Sequence, residues 1–128
     1  MDVHRVRAFF RGALGQRVLR SPEVVKERRF TVTIPDYLAM GLPEEEGKGE
    51  RVVLQGAVDC TFLEGGRLHV IDFKTDRVEK VEELWVRYRR QLELYAHAME
   101  QATGQRVGDL VLYSTYLSEA CPHPYHGS

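Results

Sequence analysis

The chain has 128 residues, 43% of them hydrophobic and 29% charged, with a net charge of -1 at pH 7. That is enough for one domain with a core but not for two, and the balanced charge excludes any bulk attraction to nucleic acid or membrane, so such a contact needs a local patch. No apolar run approaches the roughly 18 residues of a spanning helix, and the charged start "MDVHRVRAFFRG" lacks the apolar core of a signal peptide.

In chain order, "VHRVRAFFRGALGQRVLR" spaces Val3, Val6, Phe10, Leu14 and Val18 at three or four residues, which predicts one amphipathic helix. "EVVKERRFTVTIP", with Phe30, Val32 and Ile34 alternating, predicts a strand. The Gly- and Pro-punctuated "DYLAMGLPEEEGKGE" predicts a surface loop with room for one short helical turn, its three glutamates a solvated tip. Two strands follow, residues 51–63 and 67–74, around Gly65 and Gly66. Leu84, Tyr88, Leu92, Tyr95 and Met99 then share one face of a helix that Gly104 should stop. "RVGDLVLYSTYL" predicts a last strand, and residues 118–128 a polar tail. Cys121, His123 and His126 in that tail are a weak metal signal, being only three ligands in a Pro-rich end. With Cys60 so far away, the two cysteines suit a reducing, cytoplasmic setting rather than a disulfide scaffold, and they are too few for an iron–sulfur cluster. The order α-β-β-β-α-β predicts one mixed sheet with helices packed on it, a single domain over residues 1–117.

The central hairpin carries an oddity. With Gly65-Gly66 as a two-residue turn, Glu64 opposes Arg67, and Asp59 falls directly opposite Asp72. Asp72 and Lys74 point to the same side of their strand. Val58, Cys60, Phe62, Ile71 and Phe73 are then expected to line the other, apolar face. Directly opposed like charges destabilise a sheet, and one of the two carboxyls should titrate high. A divalent cation reverses the sign, and two carboxylates with open remaining positions are how Mg²⁺ is usually held. Lys74 beside them could steer a bound water or stabilise a pentacovalent phosphate. On spacing alone, a plain salt bridge between Lys74 and one aspartate explains the residues equally well.

On the long helix Gln91 and Tyr95 are i, i+4 neighbours. An amide at the edge of a buried stripe needs partners, which a phosphate, a base or, more commonly, a backbone carbonyl can supply. Arg87, Arg89 and Arg90 are the best local candidates for contact with a phosphate backbone, although single exposed arginines mostly just solvate.

Together "GAVDC", "LHVIDFKTDR" and "RYRRQLELYAHAME" resemble the PD-(D/E)XK nucleases of the RecB type, above all the C-terminal nuclease domain of AddA subunits in bacterial AddAB helicase–nucleases. The likeness rests on G-x-x-D (Gly56 to Asp59), D-x-K-T-D-R (Asp72 to Arg77) and Q-x-x-x-Y (Gln91 to Tyr95), in that order, and covers nearly the whole chain. It implies a restriction-endonuclease-like three-layer α/β/α fold around a central mixed sheet. It implies Mg²⁺-dependent DNA exonuclease chemistry, with Mn²⁺ as a substitute, in double-strand break repair by recombination. Asp59, Asp72 and the Phe73 carbonyl would ligate the metal, Lys74 would serve the attacking water, and Gln91 and Tyr95 would support the site or its DNA. Glu27 matches an acidic position on the family's first strand, where an exposed strand glutamate is the plainer reading. The implied partners are linked helicase domains and an AddB-type subunit.

One departure matters. The family supplies a further ligand, a histidine in a G-T-x-x-H pattern, and this sequence has no such motif. His4 lies in a later helix and does not inherit the role. Helicase motifs are missing too, so the chain is expected to be a C-terminal piece of a larger polypeptide. The rival expectation is a catalytically incomplete DNA-binding or docking module that keeps the nuclease fold. A small stand-alone nuclease with an iron–sulfur cluster is a weaker rival, since Cys60 and Cys121 cannot furnish one.

Overall fold

The computed structural model describes residues 3–127. Its elements are α1 (Val3–Arg11), α2 (Ala13–Arg20), β1 (Val24–Pro35), α3 (Asp36–Met40), a 3₁₀ turn (Glu44–Glu46), β2 (Arg51–Glu64), β3 (Arg67–Lys74), α4 (Glu82–Thr103), β4 (Val107–Ser114) and β5 (Glu119–Pro124).

The hairpin turn sets the register. Gly65 and Gly66 take φ of 59° and 74°, the pair of positive values that matches the twist of the strands they join. From there Glu64 pairs with Arg67, and the ladder runs to Cys60 opposite Ile71, as the sequence predicts. β1 lies antiparallel on the far side of β2. The α4 crossover returns the chain so that β4 runs parallel to β3. The sheet order is β1-β2-β3-β4-β5.

Two cores form, one on each face. Phe30, Val32, Ile34, Leu68, Val70, Leu84, Leu92 and Met99 gather beneath α4, whose stripe is the expected one. Phe9, Leu14, Val18, Cys60, Phe62 and Ile71 gather beneath α1 and α2. Helices on both faces of a mixed sheet make the restriction-endonuclease-like α/β/α sandwich.

Four expectations need correction. The first helix is two: Gly12 is extended (φ -75°, ψ 166°) and starts α2 afresh. The break lets the two helices meet at Gly15, where a β-carbon would run into the Phe9 carbonyl. It also makes Phe9 rather than Phe10 the buried anchor; the Val3 side chain lies outside the described residues. Second, the acidic segment is ordered as α3 and the 3₁₀ turn, held by Asp36, which accepts from the Tyr37 and Lys48 amides at 2.8 and 2.7 Å. Its glutamates are exposed, as expected. Third, the expected tail supplies a fifth strand: β5 pairs antiparallel with β4, Cys121 opposite Leu112. Pro122 and Pro124 fit there because β5 is an edge. Cys121 turns into the core and His123 stacks on Trp85, with ring centroids 3.9 Å apart. Fourth, Val58 does not share a face with Cys60 and Phe62. It joins the core under α4, while they join the core under α1 and α2, so the alternation of β2 breaks at Asp59.

Candidate active site

That break is where the site lies. Beyond Cys60–Ile71 no backbone pair joins β2 to β3, although β2 stays paired with β1 as far as Arg51 and β3 with β4 as far as Lys74. The strands fork at the two aspartates. Across the fork Asp59 Oδ2 accepts the Phe73 N–H at 2.7 Å, a carboxylate standing where a ladder carbonyl would otherwise be. The neighbour of Lys74 in the sheet is Ser114 of β4.

Lys74 Nζ lies 2.8 Å from Asp72 Oδ2, and the two side chains are only 19% and 17% exposed. Asp72 thus has both the Lys74 ion pair and the Asp59 carboxyl beside it, although no backbone pair sets the two aspartates opposite each other as the counting predicts. Burial first, then the hydrogen bond to Asp59, pushes the Asp72 carboxyl up to about 6, with Lys74 opposing. For Lys74 burial acts downward, but the hydrogen bond and charge of Asp72, with Tyr88 and Asp59 adding, outweigh it and hold the ammonium above the ordinary lysine value. The result is one carboxyl poised near neutrality beside a cation that stays charged.

A wall of the site comes from α4. Lys74 Nζ sits 4.0 Å from the centroid of the Tyr88 ring. The Tyr88 hydroxyl donates to Asp76 Oδ2 at 2.7 Å, and Arg87 Nη1 reaches the same oxygen at 2.6 Å. Those bonds, Tyr88 first, hold the Asp76 carboxyl below the ordinary range. Sequence reasoning counted Tyr88 only as part of the apolar stripe and Asp76 only as a letter of D-x-K-T-D-R. An aromatic with a polar tip, three residues before Gln91 on a helix facing charged strand ends, was the available signal.

The other candidates separate. Tyr95 packs edge-on against Phe30 (5.0 Å) and covers Gly56, where a β-carbon would lie 2.7 Å from Phe30 Cζ and 3.0 Å from Tyr95 Cζ. Gly56 thus has no room for a side chain because Phe30, and behind it Tyr95, lie against it. Gln91 is exposed, and its amide makes no hydrogen bond among the described residues. The three arginines do not form one patch: Arg87 goes to Asp76, Arg89 pairs with Glu93 at 3.1 Å beside Trp85, and Arg90 reaches the Ala39 carbonyl at 3.4 Å. Glu27 is brought in by register, since Lys26 opposes Cys60 and Arg28 opposes Val58, which sets it across from Asp59. It is exposed, and its φ of 50° is left-handed, a strained value for a glutamate.

Among the described residues no group of three or more His, Cys, Asp or Glu side chains stands close enough to hold a metal ion. The donors on offer are the Asp59 and Asp72 carboxylates and nearby backbone carbonyls. That set fits Mg²⁺, which binds through one or two carboxylates and keeps several waters, and a dication would offset the burial, and after it the Asp59 contact, that raise Asp72.

Comparison with known proteins gives a consistent result. The PD-(D/E)XK nuclease superfamily matches residues 2–124. The chain is 39% identical over 114 residues to the A subunit of the ATP-dependent helicase/nuclease of Clostridium botulinum strain Hall, covering 88% of this chain and 9% of that protein. The protein of the same name from Thermoanaerobacter sp. strain X514 is 39% identical over 116 residues, and that from Acetivibrio thermocellus 37% over 116 residues, each with the same coverage. The chain therefore spans about a tenth of the length of these relatives.

Proposed function

This chain belongs to the PD-(D/E)XK nuclease superfamily, and from that premise we propose that it is the metal-dependent DNA exonuclease domain of an AddA-type helicase–nuclease. The observation that carries this is the Asp72–Lys74 pair, 2.8 Å apart, facing Asp59 in the fork of β2 and β3. Asp59 and Asp72, with the Phe73 carbonyl, would hold the cation, for which we propose Mg²⁺ with Mn²⁺ as substitute, and whose contribution would be to neutralise charge on the scissile phosphate. The chain's own residues do the rest. Lys74, kept charged, orients the attacking water and meets the negative charge that grows on the phosphoryl oxygens. Asp59 keeps β3 in place through the Phe73 amide. Tyr95 secures β2 at Gly56, and the free Gln91 amide is available to a phosphate or base. Glu27, across from Asp59, is a further acidic group for the same site. Arg87, Arg89 and Arg90 would contact the DNA backbone by exchanging their present partners for phosphate. The helicase segments of the same polypeptide, together with an AddB-type partner protein, would deliver unwound ends during double-strand break repair in the cytoplasm. No helix of the described residues is long and apolar enough to cross a membrane.

A second reading, a non-cutting DNA-binding or docking module, draws on the lack of a third ligand side chain among the described residues. Degradation of end-labelled linear DNA with Mg²⁺ or Mn²⁺, beside Asp72→Ala, separates the two. Metal-dependent loss of full-length strands that Asp72→Ala abolishes supports the nuclease; binding without cutting supports the module.

A further inference from the structure

Lys74 is held by two groups of different kind, and only one of them can stay when the site is working. Asp72 is the ionic partner, at 2.8 Å. Under the proposed function, on which this inference rests, Asp72 gives its oxygens to a dication, and that charge repels the ammonium beside it. What remains within reach is the Tyr88 ring, its centroid 4.0 Å from Nζ. An aromatic face attracts a cation through its quadrupole without competing for the metal. It also leaves the three N–H donors of the ammonium free for water or phosphate, which a carboxylate partner would occupy.

The ring is itself held. Its hydroxyl donates to Asp76 at 2.7 Å, and Arg87 binds the same carboxylate oxygen at 2.6 Å. Asp76 lies two residues beyond Lys74 on the chain, so the loop that leaves β3 ties back onto the helix that faces it. Lys74 is anchored at its backbone too, where its carbonyl accepts from the Thr115 amide at 3.0 Å and hydroxyl at 3.1 Å. Backbone and ammonium are thus both held by groups other than the aspartate pair. We infer that Tyr88, set in place by Asp76, is the positioning residue that keeps the Lys74 ammonium aimed at the reacting phosphate once Asp72 has turned to the metal.

The inference separates the ring of Tyr88 from its hydroxyl. Tyr88→Phe keeps the aromatic face and loses the tie to Asp76; Tyr88→Leu loses both. In the intact polypeptide, the cleavage rate should fall in the order wild type, Tyr88→Phe, Tyr88→Leu, with the last down on the order of 10²-fold, the scale of a misplaced catalytic group. Asp76→Ala, which leaves the Tyr88 hydroxyl no acceptor there, should match Tyr88→Phe. In the two Tyr88 variants KM for DNA and binding in Ca²⁺ should change little, because no DNA contact is removed. A second readout needs no metal or turnover: acetylation of Lys74 in chelator, followed by peptide mass against exposed Lys80. Tyr88→Leu should acetylate Lys74 several-fold faster relative to Lys80, and Tyr88→Phe close to the wild-type rate. Melting curves of each variant confirm that it is folded. If Asp72→Ala abolishes cutting while Tyr88→Leu cuts like wild type, the inference is overturned and the nuclease reading stands. If Asp72→Ala has no effect on cutting, the nuclease reading itself fails. Unchanged Lys74 acetylation in folded Tyr88→Leu overturns the inference whatever the activity.

Discussion

The two ends of the β2–β3 pair follow opposite rules. At the closed end opposite charges meet: Glu64 faces Arg67 across the turn, and Arg17 grips Glu64 with contacts of 2.7 to 3.1 Å. Phe62 is fully buried there and stacks on His69. Both His69 nitrogens are satisfied, Nδ1 accepting the Asp109 amide and Nε2 donating to the Glu64 carbonyl. At the open end like charges meet. Asp59 and Asp72 lie side by side, backbone pairing stops, and a carboxylate takes over as acceptor. The same two strands thus concentrate stability at one end and unresolved charge at the other. A cation can add most where the protein has left most uncompensated.

Mutations can break that division. Phe62→Ala removes a wholly buried ring from the closed end and should cost about 3–5 kcal/mol, read as a lower urea midpoint, with the site's chemistry unaltered in whatever fraction stays folded. Lys74→Ala, at the open end, should do the reverse. Cutting should fall by about 10²–10³ while DNA binding and the melting temperature change little. If Lys74→Ala destabilises as much as Phe62→Ala, the open end is structural and the division is wrong.

pH sharpens the contrast. The folded value of Asp72, about 6, stands above its ordinary 3.8, so the folded protein holds the extra proton. That contribution is whole below about pH 4 and is lost as pH rises through about 6. After allowance for solvent screening, metal-free stability should fall by about 1–2 kcal/mol across that window from this group. Denaturant titrations at several pH values should show the slope in the wild type and a flatter profile in Asp72→Asn. The smallest effect belongs to the surface pair at the closed end. Arg17→Ala should cost at most about 1 kcal/mol and less in high salt, because both partners are partly in water.

The sequence made the closed end legible and left the fork hidden, for a physical reason. Gly65-Gly66 makes a two-residue turn, and every pair up to Cys60–Ile71 follows from its length by counting. The same counting puts Asp59 opposite Asp72, but counting assumes that strands stay paired and keep alternating. Both assumptions end at Asp59, where Val58 and Cys60 go to different cores and Glu27 turns left-handed. Such a break involves acidic residues brought together from three strands, which no single segment displays. β5 was missed because its prolines read as loop, and only the edge of a sheet tolerates them. The motifs located Asp72, Lys74 and Tyr95 without saying why Gly56 is a glycine; the packing of Tyr95 on Phe30 supplies that reason. Tyr88 escaped notice because an apolar stripe accounts for a tyrosine unless its hydroxyl and ring face are followed to their partners.

The central claim is that Asp59 and Asp72 share a divalent cation, and melting with and without metal tests it most directly. Wild type and Asp59→Asn are compared in chelator and in several millimolar Mn²⁺. In chelator Asp59→Asn should be equal to or more stable than wild type, by up to about 1 kcal/mol, since an asparagine oxygen can still accept the Phe73 amide while the like charge is gone. In Mn²⁺ the wild type should melt higher and Asp59→Asn should not, because only the intact pair in the folded state presents the site. An equal Mn²⁺ shift in both proteins, or in neither, would contradict the account.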